Sequence, residues 1–285
     1  MASGSLSTDG GSRPGKVSSY SRPMAEFPDD LSLALHLADA ADAVSLPRFG
    51  AADLTVTAKP DLTPVSDADL AVERAIRALI AEHRPSDAIV GEEFGSAGDE
   101  GGRRWVLDPI DGTKNFVRGV PVWATLIALF DGPDVVVGVV SAPALVRRWW
   151  ASAGGGAYSR FNEREPQRLR VSGVADLADA SLSYSESAEW RAVGLSDEFD
   201  ALCRACWRTR AYGDFYSYML VAEGAVDAAT EPDLNLWDVA ALIPIVTEAG
   251  GRLTAIDGHP SGGTVRSALA TNGLVHDQVV TLLNG

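Results

Sequence analysis

Cysteine, methionine and basic residues are the scarce components of this 285-residue chain. Its two cysteines both fall in the segment LCRACW, as Cys203 and Cys206, and cannot build the disulfide framework of a small secreted domain. Lysine and arginine number 24 against 39 aspartates and glutamates, a formal net charge of −15. That balance argues against nucleic acid or an anionic membrane as the partner. Long hydrophobic runs are also missing. The longest, at 122–130 (VWATLIALF), reaches about half of the ~20 residues a membrane-spanning helix needs. Residues 1–23 carry no apolar stretch of signal-peptide type and no hydrophobic period. They are expected to be a disordered or expression leader, with Met24 a candidate natural start. The expected setting is the cytoplasm.

What is present suits an ordinary globular enzyme: 46% hydrophobic and 22% charged residues, enough length for about two domains, and acidic groups of the kind that gather divalent cations. Leu31, Ala34, Leu35, Ala38, Ala41 and Val44 recur at helical spacing. A second helix is predicted from Asp67 to His83, N-capped by Ser66, after a turn-rich connector, KPDLTPVSD. Strands are then predicted at 87–91, 104–107, 122–130, 134–141 and 147–152. Beyond these the pattern alternates, with helices at 195–206, 214–224, 237–249 and 274–283 between short strands. The expectation is an α+β half over 24–145 joined to an α/β half over 146–285.

The densest chemical signal is Asp108-Pro109-Ile110-Asp111-Gly112-Thr113. Pro109 is expected to end the strand, letting two carboxylates converge with the Ile110 carbonyl between them. Gly112 allows a tight bend, and Thr113 adds a hydroxyl. A hard cation such as Mg²⁺ takes such an oxygen set. Taken alone, the segment also reads as an Asp-Gly turn. Gly91-Glu92-Glu93 at another strand end and Trp237-Asp238 at a helix start are likewise ambiguous singly. The four histidines sit in no metal-ligand spacing, which favours a hard-cation site over zinc.

Together and in this order, GEE, DPIDGTKNF and WDVAA resemble the inositol-monophosphatase-like phosphatases, from about residue 30 to the end. The resemblance implies a layered αβαβα sandwich and a lithium-sensitive phosphomonoesterase, often a homodimer, using two to three Mg²⁺ ions per site. Carried over by position, it assigns Glu92, Asp108 and the Ile110 carbonyl to one ion and Asp108, Asp111 and Asp238 to a second, with Glu92 near a weaker third. It gives catalytic roles to Glu92, Thr113 and Asp67, the last two orienting the attacking water. Substrate contacts fall to Glu92, Asp111, Gly112, Thr113, Arg210, Asp214, Glu231 and Asp238. The chemistry is consistent: in-line displacement at phosphorus needs a positioned water and charge neutralisation on both flanks.

The combination DGTKNF, RAYGDF and ATEP looks most like the histidinol-phosphatase branch of actinobacteria, with inositol phosphates, sugar phosphates and nucleotide bisphosphates as the alternative substrates. Asp214 and Glu231 would suit a substrate carrying a protonated amine and an imidazole. Arg210 either faces that substrate or pairs with Asp214. Lys114 either reaches the phosphate or points into solvent. Tyr212, Phe215 and Trp123 are imidazole contacts or core residues. A zinc site at the two cysteines lacks a second ligand pair, and Trp149 and Trp150 are expected to face core and surface alternately, or to help bury a dimer interface.

Overall fold

The computed structural model describes residues 1, 27–60, 63–99, 101–260 and 266–285; the leader expected over 1–23 lies, apart from Met1, outside them. The chain opens with α1 (Phe27–Ser45), the short hairpin β1 (Val56–Ala58) and β2 (Pro64–Ser66), and α2 (Asp67–His83). Next come β3 (Ala88–Gly91), β4 (Gly95–Ala97), β5 (Arg103–Asp111), α3 (Thr113–Arg118), β6 (Ala124–Asp131), β7 (Asp134–Ala142), β8 (Arg147–Ser152), β9 (Gly156–Phe161) and β10 (Gln167–Arg168). The remainder comprises β11 (Ser181–Ser183), α4 (Ser187–Ala192), α5 (Ser196–Ala205), β12 (Arg208–Arg210), α6 (Asp214–Ala222), β13 (Ala228–Glu231), α7 (Leu236–Val239), α8 (Leu242–Glu248), β14 (Arg252–Thr254), β15 (Ala268–Thr271) and α9 (His276–Asn284).

Apolar cores fill the spaces between five layers, the αβαβα order expected. α1 and α2 bury Leu37, Ala41, Val72 and Ile76 against Trp105, Leu107, Ile127 and Val139 on one face of the first sheet. Its opposite face meets α6 and α8 through Leu126, Val140 and Trp149, and those helices also cover the second sheet at Ala229, Leu253 and Ala270. The outer layer packs Trp190, Phe199, Leu202 and Val279 on Leu182 and Leu269. Trp149 and Trp150 alternate in direction, but not between core and surface as expected: helices cover both faces of the first sheet, so Trp149 is buried in one core and Trp150 packs, partly buried, against the other.

The first sheet has eight strands in the order β10-β9-β8-β7-β6-β5-β3-β4, with β3 and β5 parallel. The second has five, β12-β11-β13-β15-β14. The break expected at 145 therefore falls inside the first sheet, which runs on to Arg168 because β8–β10 continue its antiparallel meander. The helix expected over 237–249 is two. Pro244 has no N–H to donate to the carbonyl of residue 240, so α7 ends and α8 begins anew. No helix among the described residues is long and apolar enough to cross a membrane.

Chain direction places the chemistry. β3, β5 and β13 finish at Gly91, Asp111 and Glu231, while α2, α3, α6 and α7 start at Asp67, Thr113, Asp214 and Leu236. All of these ends except the start of α2 contribute to, or directly flank, one cleft of about 410 Å³. Helix starts carry partial positive charge, which favours both carboxylates and a bound anion there.

Candidate active site

Pro109 does not end β5. The strand continues to Asp111 across a register shift, with Asp108 opposite Leu126 and Asp111 opposite Ala124. Three steps along β5 thus answer two along β6, a bulge. In a regular strand, residues three apart face opposite sides; the extra residue brings both carboxylates into the cleft. Thr125 secures the distortion by donating its hydroxyl to the Pro109 carbonyl at 2.8 Å. Gly112 follows at φ 81°, and a Cβ there would stand 3.0 Å from the Val122 carbonyl and 3.2 Å from Asp214 Oδ2.

One carboxylate oxygen each from Asp108, Asp111 and Asp238 lie within 4.8 Å of one another. Each is aimed by its element. The Phe215 N–H at the start of α6 donates to Asp111 Oδ2 at 2.8 Å, and the Asn235 N–H donates to Asp238 Oδ2 at 2.6 Å in a capping box. Asp108 Oδ1 is buried with no hydrogen-bond partner. Burial, then mutual repulsion with Glu92 and the other aspartates, pushes Asp108 well above the usual carboxylate range. Burial and Asp214 do the same to Asp111, and burial carries Asp238 up to about 7. An orphaned oxygen amid three inward-facing carboxylates fits a hard divalent cation, whose charge would reverse each of these penalties.

Glu92 borders this set through its repulsion with Asp108 and Asp238, but its Oε1 is held by Lys59 Nζ at 2.6 Å. Lys59 also pairs with Glu93 at 2.8 Å. No sequence pattern marked this lysine, which sits in the connector between β1 and β2. The Ile110 carbonyl accepts from the Thr113 hydroxyl at 2.9 Å.

Asp67 requires correction. The carboxylate facing Thr113 belongs to Asp69, whose Oδ1 lies 3.2 Å from the Thr113 hydroxyl. Asp69 is the third residue of α2, and its Oδ2 accepts from both the N–H and the hydroxyl of Ser66 at 2.9 and 2.5 Å. That capping box turns Oδ1 toward Thr113. Asp67, at the first helical position, points away and pairs with Arg48 at 2.8 Å. The motif Ser66-x-x-Asp69 was the available signal.

Arg210 is the other correction. It neither lines the cleft nor pairs with Asp214; it ends the edge strand β12, exposed, with Nη1 on the Thr209 carbonyl at 2.7 Å. Asp214 instead accepts from Asn115 Nδ2 at 3.0 Å, and burial lifts it to about 6. Its neighbour Glu231 is buried, takes the Ser185 hydroxyl on Oε1 and the Tyr218 hydroxyl on Oε2 at 3.2 Å, and titrates well above its ordinary range through burial and Asp214. Glu189, not anticipated, lines the same wall, and burial followed by Glu186 raises it to about 7. Lys114 spans the rim to Glu186 at 2.9 Å. Tyr212 and Phe215 line the cleft, whereas Trp123 is core, against Phe49 and Phe116. Cys203 and Cys206 are free, half-buried thiols pushed up to about 11 by burial.

Residues 30–284 match the inositol monophosphatase family. The chain is 58% identical over 258 residues to a histidinol-phosphatase of Mycobacterium tuberculosis, covering 90% of this chain and 98% of that one. It is 56% identical over 265 residues to a histidinol-phosphatase of Streptomyces coelicolor, covering 92% and 99%. Among solved structures, an inositol monophosphatase from Zymomonas mobilis superposes with a TM-score of 0.80 at 31% identity, over 91% of this chain and 99% of that one. With its layers, bulged β5 and carboxylate cluster, the chain is a member of the inositol monophosphatase family.

Proposed function

We propose that this chain is a Mg²⁺-dependent phosphomonoesterase that hydrolyses L-histidinol phosphate to L-histidinol and phosphate in histidine biosynthesis. Two to three ions per site, a homodimeric state and a cytoplasmic setting belong to the same reading and rest on the family resemblance. The observation that carries the substrate assignment is the wall beyond the metal cluster. Asp214, Glu189, Glu231 and Asp233 face the cleft there, and the one basic residue among the described lining, Lys114, is already paired with Glu186. A polyol phosphate brings no charge to offset that wall, whereas a protonated amine does. The names of the two actinobacterial relatives support the same choice.

Asp108, Asp111, Asp238, Glu92 and the Ile110 carbonyl would hold the ions. Bound there, Mg²⁺ supplies Lewis-acid neutralisation of the charge developing on the phosphoryl and leaving oxygens. The protein's own part is proton handling and orientation. The Thr113 hydroxyl has one proton and two acceptors, Asp69 Oδ1 and the Ile110 carbonyl. When that proton is directed to Asp69, a lone pair on Oγ1 is free to accept from the attacking water and orient it. The amides of Gly112 and Thr113, at the start of α3, receive the phosphate. Tyr212 and Phe215 border the space left for the imidazole.

Phosphate release with and without Mg²⁺ from L-histidinol phosphate, inositol 1-phosphate, fructose 1,6-bisphosphate and adenosine 3′,5′-bisphosphate tests the reading. Histidinol phosphate should dominate. Asp214→Ala should then cost that substrate about tenfold or more in kcat/KM, on the scale of a buried charged hydrogen bond, and a neutral polyol ester far less. Equal losses on both esters, or faster turnover of another one, would overturn the substrate assignment.

A further inference from the structure

Glu92 sits on a turn anchored from beneath rather than by strand pairing alone. Past the end of β3, the Glu93 and Phe94 amides donate to the carboxylate of Glu73, at 2.8 Å to Oε2 and 3.2 Å to Oε1. Glu73 comes from α2 and its side chain is fully buried. Its Oε1 also accepts from Arg77 Nε at 2.7 Å, and Arg77 reaches on to the Gly95 carbonyl. A Cβ at position 91 would lie 2.0 Å from Glu73 Oε1, so glycine there is what lets the carboxylate pass beneath the strand end. A buried carboxylate is costly unless its oxygens are satisfied; here they are satisfied by the backbone that carries Glu92.

We infer that Glu73, locked by Arg77, is a positioning residue that sets Glu92 for cation binding. Asp69 and Glu73 lie four residues apart on α2, so one helix orients both the Thr113 hydroxyl and the Glu92 turn. Groups that orient a metal ligand from behind typically change affinity about 10- to 100-fold when removed. The inference rests on the cation-binding reading of Glu92 and is independent of which ester is cleaved.

The test is calorimetric titration of Mg²⁺ and Mn²⁺ into chelator-stripped protein without substrate, alongside thermal melts. Glu73→Gln keeps the side-chain shape but presents an amide N–H to one of the two backbone donors, and should weaken cation binding at least ~10-fold. Arg77→Met leaves the carboxylate in place but unlocked and should weaken binding by a smaller, measurable factor; it decides the matter if Glu73→Gln does not fold. Arg77→Lys should restore part of the loss. Arg74→Ala, which trims a guanidinium stacked on the Phe94 ring, is the control and should bind as wild type. In Glu73→Gln, kcat at saturating Mg²⁺ should recover toward wild type with KM for the ester little changed. Folded Glu73→Gln and Arg77→Met proteins that melt lower yet bind cations as tightly as wild type would reduce Glu73 to a purely structural role and overturn the inference. A wild-type protein that binds no divalent cation would instead overturn the metal reading itself.

Discussion

Exchanging each of two aspartates on α2 for asparagine separates the group that works with Thr113 from its neighbour. In Asp69→Asn, the amide oxygen can still accept from the Ser66 N–H, so the capping box is weakened rather than lost, costing about 1 kcal/mol. The face toward Thr113 now carries an N–H donor, and the hydroxyl proton is left with the Ile110 carbonyl alone. Thr113 Oγ1 then meets the new donor with the lone pair it needs for water. Losing a positioned proton acceptor of this kind costs ~10²- to 10⁴-fold in kcat. Asp67→Asn removes one end of a half-exposed pair with Arg48, which keeps Asp53; the stability cost is at most about 1 kcal/mol, and kcat should stay near wild type. The assay is the initial rate of phosphate release at saturating Mg²⁺, with melts to show that both proteins are folded. An Asp67→Asn enzyme as impaired as Asp69→Asn, or an Asp69→Asn enzyme as fast as wild type, would refute the geometry drawn around Thr113.

Two more outcomes follow from buried groups. Asp111→Asn should lower activity at least ~10²-fold, because a charged cation ligand is lost, while the metal-free melting temperature holds or rises as one repelling carboxylate disappears; full activity in a folded variant would sink the cluster assignment. His276 is buried between the hydroxyls of Thr254 and Thr271, and burial lowers it to about 4 from 6.5. The folded state therefore disfavours its proton, so stability is lost as pH falls from about 6.5 toward 4, by roughly 2 kcal/mol once solvent screening is allowed for. Denaturant unfolding of wild type and His276→Gln at pH 7 and 4.5 should show a smaller loss in the variant, and identical losses would contradict this.

The elements most legible in the sequence were those in which one pattern has one structural solution. Ser66 before a 3.6-residue apolar period marked the start of α2, and the β-branched run at 134–141 marked a strand buried on both faces. The hairpin β1–β2 leaves no signal in the sequence, because two three-residue strands with exposed β1 side chains show no periodicity. β9 is silent for a related reason: its residues are mostly small or polar, and it pairs on both sides through its backbone. The bulge in β5 was half-legible. Pro109 announced a break in the ladder, but the insertion of a residue, rather than termination, depends on pairing with β6, which is remote in sequence.

Legibility of the site divides along the cleft for a physical reason. A hard cation needs several oxygens at short range, so most of its candidate ligands cluster in two short segments, 91–93 and 108–113, with Asp238 added from α7. Such a requirement leaves a compact signature. The head-group wall has no equivalent constraint. Asp214 and Glu231 come from α6 and β13, Glu189 from the separate short helix α4, and the second sheet, with α6 packed on one face and α4 on the other, brings them together. Arg210 shows the converse: four residues from Asp214 in sequence, it looked like a partner, yet β12 ends at the sheet edge and its side chain lies outside the cleft. Nearness along the chain therefore points to the carboxylates that gather at one end of the cleft, and misleads over the wall at the other. For the same reason, Glu189→Gln, on the wall of the cleft away from the carboxylate cluster, should alter which ester is preferred while leaving cation affinity close to wild type, and a matching fall in Mg²⁺ affinity would show that the two ends of the cleft are not separable.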